Sequence, residues 1–248
     1  QDYQHGLFRI TGTWFSISIP VFMQHGMDIT RLIHSESIIW ASYLAMTGLL
    51  AFAMVMAPWE KIRQDSAAQN VYLGATVLVI LVWMIRAELP TGLNFHLLAT
   101  TLLCLLFEWQ FALLSMAVVV AVHSMINGIP AENYALNWLT LGALPIVLCR
   151  IALYLVQRYL PHNFYIYIFI NAFLVAGIGA YLAGVFSAVW LYYALDYSSH
   201  LILDQYLPTL ILIMLPEAVT TGMVMTILVV YKPAWVATFH DRWYLKNC

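Results

Sequence analysis

Residues 92–126 read GLNFHLLATTLLCLLFEWQFALLSMAVVVAVHSMI: two apolar runs, Leu93–Phe107 and Gln110–Ile126, meeting at a lone carboxylate, Glu108, beside Trp109. Each run is about 15 residues long, near the lower limit for a helix that crosses a ~30 Å hydrocarbon core. The pair therefore reads either as two short spans or as a re-entrant pair turning at Glu108–Trp109, and both readings leave the parity of membrane crossings unchanged. Segments of the same kind recur on either side, at Ile38–Ala57, Val71–Ile85, Leu136–Val156, Phe164–Leu195 and Tyr206–Val230. The expected fold is an all-α integral membrane protein. It is a bundle of about seven transmembrane helices within residues 37–248, preceded by an outer interfacial segment at residues 1–36.

Composition agrees and excludes several classes of function. The chain is 63% hydrophobic and 9% charged with a mean hydropathy of +0.82, against roughly 25% charged for a soluble domain. Short connections leave no room for a soluble catalytic domain, and no enzymatic activity is expected. A net charge of −2 and the lack of any Lys/Arg cluster argue against a nucleic-acid partner. There is no GxxxxGK[ST] loop, HExxH or GxSxG, so any ATP must be used by a partner. No cofactor is expected in the chain, beyond a transition-metal ion as substrate or ligand.

Charge also sets the expected orientation. Lys61, Arg63, Arg158, Lys232, Arg242 and Lys246 fall on one side of the spans, Arg9, Arg31 and Arg86 on the other, and Arg150 within a span. Cytoplasmic loops carry the excess of Lys and Arg, which predicts N-out and C-in in a bacterial inner membrane. Residues 1–36 mix aromatics with charges and are broken by Pro20, which predicts an interfacial helix or loop on the outer face.

Candidate functional residues come from the cost of polarity in lipid. Glu217 lies about eleven residues into the last span, after Pro216 and one turn before Thr220 and Thr221. It reads either as a carboxylate lining a cavity or as a hydrogen-bonded strut between helices. His96 and His123, in the outer halves of the two central runs, could face each other. With Asn94, Glu217, Thr220 and Thr221 they make the candidate substrate cavity. Neutral imidazole ligates zinc, copper and nickel, and the outer segment adds Met23, His25, Met27 and His34. His96, His123, His25, Met23 and Met27 are thus the candidate metal ligands. Ala172, Ala176, Ala180, Gly184 and Ala188 recur every fourth residue, a column that predicts close helix packing.

Three stretches, residues 92–115, LNWLTLGALP at 136–145 and LPEAVTTGMVMTILVVYKPAWVATFHDRWYL at 215–245, resemble a bacterial branch of the energy-coupling-factor transporter permeases, related to the cobalt/nickel substrate-capture membrane components. The resemblance runs through most of residues 40–245. It implies a membrane subunit that takes a micronutrient from the outer side, with other membrane subunits and separate ATPase subunits as partners and lipid around it. The metal-capturing members begin with a Met-His dipeptide, whereas this chain begins Gln1-Asp2, and the nearest echo, MQHGM at 23–27, lacks a free amine. Glu108 stands in a tight turn where relatives are expected to carry glycine. Because the family's N-terminal metal dipeptide is missing, the histidines are expected to lie apart or to bond to neighbouring helices. The alternative function is a non-catalytic accessory subunit of a larger inner-membrane complex, such as a metal-dependent oxidase or monooxygenase. A polar cavity opening outward near His96, His123 and Glu217 would mark the transporter, and a packed-shut region the accessory subunit.

Overall fold

The computed structural model describes residues 3–10, 13–20, 28–29, 33, 35–85, 87–88, 94–195 and 202–239. Among the described residues, six helices are long and apolar enough to cross a membrane: α1 (Glu36–Met56), α3 (Ser66–Met84), α4 (Thr100–Asn127), α5 (Ala131–Tyr159), α6 (Phe164–Trp190) and α7 (Leu207–Tyr231). A short helix, α2 (Trp59–Arg63), joins α1 to α3, and Asp65 caps α3 by accepting from the N–H groups of Ala67 and Ala68.

α4 is one helix by its hydrogen bonds and two by its geometry. As a straight rod its 28 residues would be about 42 Å long. His96 precedes its start and His123 stands near its end, yet their rings are 5.4 Å apart. The chain turns back at Glu108, whose φ of 66° and ψ of 164° leave the helical region. An L residue with a Cβ pays about 1–3 kcal/mol for such a conformation. The central runs are therefore two arms, a short one at residues 100–107 and a full-length one at 109–127, turning where the sequence places Glu108–Trp109. The first run differs from expectation at its start. Residues 94–95 pair antiparallel with 87–88, residues 96–99 are irregular, and helix begins only at Thr100.

With the short arm counted separately, seven helical segments among the described residues run between two ends of the bundle. At one end lie the α1–α3 turn, Glu108 and the residues after α7: Lys61 Nζ is 3.3 Å from Glu108 Oε1, and the Ala237 N–H and Thr238 hydroxyl donate to the Leu106 and Leu105 carbonyls. At the other end lie Asp28, Trp83, His96 and His123.

Pro145 and Pro208, which cannot donate to the preceding turn, follow π-helical stretches at Trp138–Ala143 and Ile202–Tyr206. The column Ala172, Ala176, Ala180, Gly184, Ala188 is buried, and a Cβ at Gly184 would collide with Leu210 of α7. Arg150 is exposed on the outside of α5. Residues 3–10 and 13–20 form an antiparallel pair of strands, with Tyr3 opposite Pro20 and Ile10 opposite Thr13. The expectation of a helix or loop there is corrected. Aromatic and β-branched residues crowd Thr13–Ile19, and such residues favour strands.

Candidate metal centre

Three buried side chains meet at one end of the bundle. Asp28 Oδ1 lies 3.3 Å from His96 Nε2, and Asp28 Oδ2 lies 2.9 Å from His123 Nε2. One donor atom from each residue falls within 4.8 Å of the others. Burial alone would raise the Asp28 carboxyl pKa; the charge and hydrogen bonds of the two imidazoles outweigh it and hold the carboxyl well below the usual carboxylate range.

Each side chain is held by a different element. Asp28 and Ile29 belong to no helix or strand, so their backbone needs other partners. Asn133 and Asn137, one turn apart on α5, supply them. Asn137 Oδ1 accepts from the Ile29 N–H at 2.9 Å, and the Ile29 carbonyl accepts from Asn133 Nδ2 at 2.9 Å and Asn137 Nδ2 at 3.1 Å. Asn133 Oδ1 also accepts from the Ile33 N–H at 3.3 Å. Ile29 and Ile33 bury against Leu136, Ile38 and Trp190.

His96 opens the strap that leads into the short arm. Its Nδ1 lies 3.5 Å from the Leu97 carbonyl, and its ring lies 4.3 Å from that of Trp83. Trp83 Nε1 donates to the Leu98 carbonyl at 3.0 Å. His123 belongs to the long arm, with its ring 5.0 Å from Trp83 and its Nδ1 3.4 Å from the Asn127 amide. Glu217 reaches the same strap from α7. Its Oε2 and Oε1 each accept a 2.8 Å hydrogen bond, from the Leu98 and Ala99 N–H groups.

His96 and His123, expected to lie apart or to bond to neighbouring helices, come together on Asp28, and the fold-back at Glu108 is the cause. Glu217 faces protein, as a strut. Thr221 shares its buried face, whereas Thr220 is exposed. Asp28, His96, His123 and Glu217 are all buried. A single ion needs no larger space than its own coordination shell, so burial of the three side chains does not disqualify a metal. Met23, His25, Met27, His34 and the Asn94 side chain lie outside the described residues. Sequence reading missed Asp28, Trp83, Asn133 and Asn137. The Asn-x-x-x-Asn spacing at the mouth of an apolar helix was the available signal, because two amides on one helix face in that setting need backbone partners.

The cobalt uptake substrate-specific transmembrane region, CbiM, matches residues 33–235. The chain belongs to this family. Its membrane fold and the sequence resemblance agree with that membership, and the protein is a substrate-capture membrane component of the energy-coupling-factor type of uptake transporter. Two solved structures share the fold. One is a truncated transition metal transporter, with a TM-score of 0.63, 15% identity and coverage of 79% of this chain and 95% of that one. The other is a transition metal transporter, with a TM-score of 0.62, 16% identity and coverage of 81% and 92%. A search of the curated proteins finds no match. His96 and His123 fall within the matched region, and Asp28 lies five residues before it.

Proposed function

We propose that Asp28, His96 and His123 capture a divalent first-row transition-metal ion from the outer side of a bacterial inner membrane. The observation that carries this reading is the convergence of one carboxylate and two imidazoles, all buried, from three separate parts of the chain. Ligands about 2.1 Å from a shared ion stand roughly 3.0–3.4 Å from one another. The 3.3 and 2.9 Å separations, each to a different oxygen of Asp28, approach that spacing, and one donor from each of the three residues lies within 4.8 Å of the others. Two imidazoles and a carboxylate suit nickel, cobalt or zinc, and the absence of thiolate among the three disfavours soft monovalent copper.

Three protein ligands leave coordination positions open. Water, or donors of the preceding segment such as His25 and Met27, would fill them. An incomplete protein shell keeps exchange possible, which a capture subunit requires. Asp28 supplies the anionic donor of the three.

The Lys61–Glu108 end carries Lys61, Arg63, Arg158 and Lys232 and is the cytoplasmic end, which puts the metal site and residues 1–36 outside. The chain moves substrate without chemistry of its own, and ATP hydrolysis by separate subunits drives uptake. Titration of the purified protein with Co2+, Ni2+ and Zn2+ tests the reading. One ion per chain is expected, with affinity falling at least about tenfold in Asp28→Ala; unchanged binding in Asp28→Ala would overturn it.

A further inference from the structure

Glu217 is the buried carboxylate that the capture reading does not use, yet both its oxygens are committed. They hold the N–H groups of Leu98 and Ala99, two and three residues after His96. Those donors have no helical partner, because the short arm begins only at Thr100 and Ala99, with φ of 54°, sits in the left-handed region. A polar group at this depth must be satisfied internally. The opposite edge of the strap is held as well, since the Leu98 carbonyl accepts from Trp83, whose ring lies against His96. The far end of the short arm bonds through Leu105 and Leu106 to Thr238 and Ala237, just beyond the helix that bears Glu217. The short arm is therefore tied at both ends to α7 and the turn that follows it.

We propose that Glu217 is a positioning residue for metal capture: by fixing the Leu98–Ala99 backbone it sets His96 over Asp28, so that the placement of His96 follows α7. This rests on the capture reading above. Glutamine at position 217 retains one acceptor oxygen but turns an NH2 group toward the second N–H, so one edge of the strap is released. Alanine releases both. The ligand atoms themselves are untouched by either change.

The test titrates Co2+ into detergent-purified wild type, Glu217→Gln and Glu217→Ala, reading affinity, the visible spectrum of the bound cobalt and metal-free thermal stability. Loss of an outer partner of a metal ligand costs roughly 10- to 100-fold in affinity. That loss is expected in Glu217→Gln, together with an altered cobalt spectrum. In a His123→Ala background Glu217→Gln should cost the same factor again, whereas in a His96→Ala background it should cost nothing further. A purely structural role would lower the melting temperature while leaving spectrum and affinity at wild-type values, and that result overturns the proposal. Equal further losses in both backgrounds overturn it too. Should Glu217→Gln not fold, Glu217→Asp, which keeps the charge but retracts it by one methylene, replaces it: a shifted spectrum supports the proposal and a wild-type spectrum and affinity refute it. A wild type that binds no ion brings down the capture reading, and this inference with it. A wild type that binds, with variants indistinguishable from it, brings down this inference alone.

Discussion

Asn137→Leu is the sharpest probe of how the Asp28 segment is held. The substitution keeps the number and branching of the side-chain heavy atoms and removes the two bonds to Ile29, one accepted from the N–H at 2.9 Å and one donated to the carbonyl at 3.1 Å. The losses are unequal. The Ile29 carbonyl retains Asn133 Nδ2 at 2.9 Å, but among the described residues Asn137 Oδ1 is the one acceptor for the Ile29 N–H. An orphaned buried donor costs about 1–3 kcal/mol, and this cost falls on the ordered form of the segment that carries Asp28. If metal capture requires that form, affinity should drop by about 5- to 150-fold. Asn137→Asp, which keeps an acceptor for Ile29 N–H, should lose less. Isothermal titration with Ni2+ or Co2+, run beside a thermal melt of the metal-free protein, measures both effects. Asn137→Leu binding metal as tightly as wild type, in a preparation where Asp28→Ala does not, would refute the idea that the asparagine pair orders the ligand.

Other outcomes follow from the same geometry. Glu108→Gly should raise the melting temperature, since relief of a positive φ worth about 1–3 kcal/mol outweighs an exposed Lys61 ion pair worth at most about 1 kcal/mol; a drop would show that the ion pair dominates. Gly184→Leu should lower yield and stability by about 1–3 kcal/mol by driving a side chain into Leu210, with Leu210→Ala restoring part of it, while the exposed Phe186→Leu should be mild; equal tolerance at 184 and 186 would contradict the packing. Because Asp28 is held below its ordinary value of 3.8, its ionised form stabilises the metal-free fold above that pH, and the contribution fades as pH falls below it. An acid-unfolding curve should therefore be shallower in Asp28→Asn, and an identical curve would remove Asp28 from the account. Cysteines placed at positions 61 and 200 should react with impermeant reagent in intact cells only at 200, and the reverse pattern would invert the topology.

The bundle was legible in the sequence because hydrocarbon thickness fixes the length and polarity of every span, and the turn at Glu108 was legible because a lone carboxylate divides two apolar runs. The candidate site was legible only in part. His96 and His123 stood out as polar groups at membrane depth, but whether they met depended on the backbone at Glu108, where φ of 66° reverses the chain at a residue that is not glycine. Asp28 did not stand out, since a carboxylate in a mixed polar segment carries no cost that marks it. Its role arises from Asn133 and Asn137, which are distant in sequence and supply hydrogen-bond partners to the backbone of Ile29 and Ile33. Thr220 was misplaced for a simpler reason: a three-residue step from Glu217 around α7 is enough to turn it outward, while the four-residue step to Thr221 keeps that residue inside.

The central claim, that two histidines and Asp28 hold one transition-metal ion, is tested most directly by X-ray absorption at the edge of bound nickel or cobalt in the purified protein. The account predicts one ion per chain, first-shell nitrogen and oxygen at about 2.0–2.2 Å with the multiple scattering of two imidazoles, and loss of the ion in the Asp28→Ala, His96→Ala, His123→Ala triple variant. Stoichiometric metal retained by that variant, or a first shell without imidazole, would contradict it.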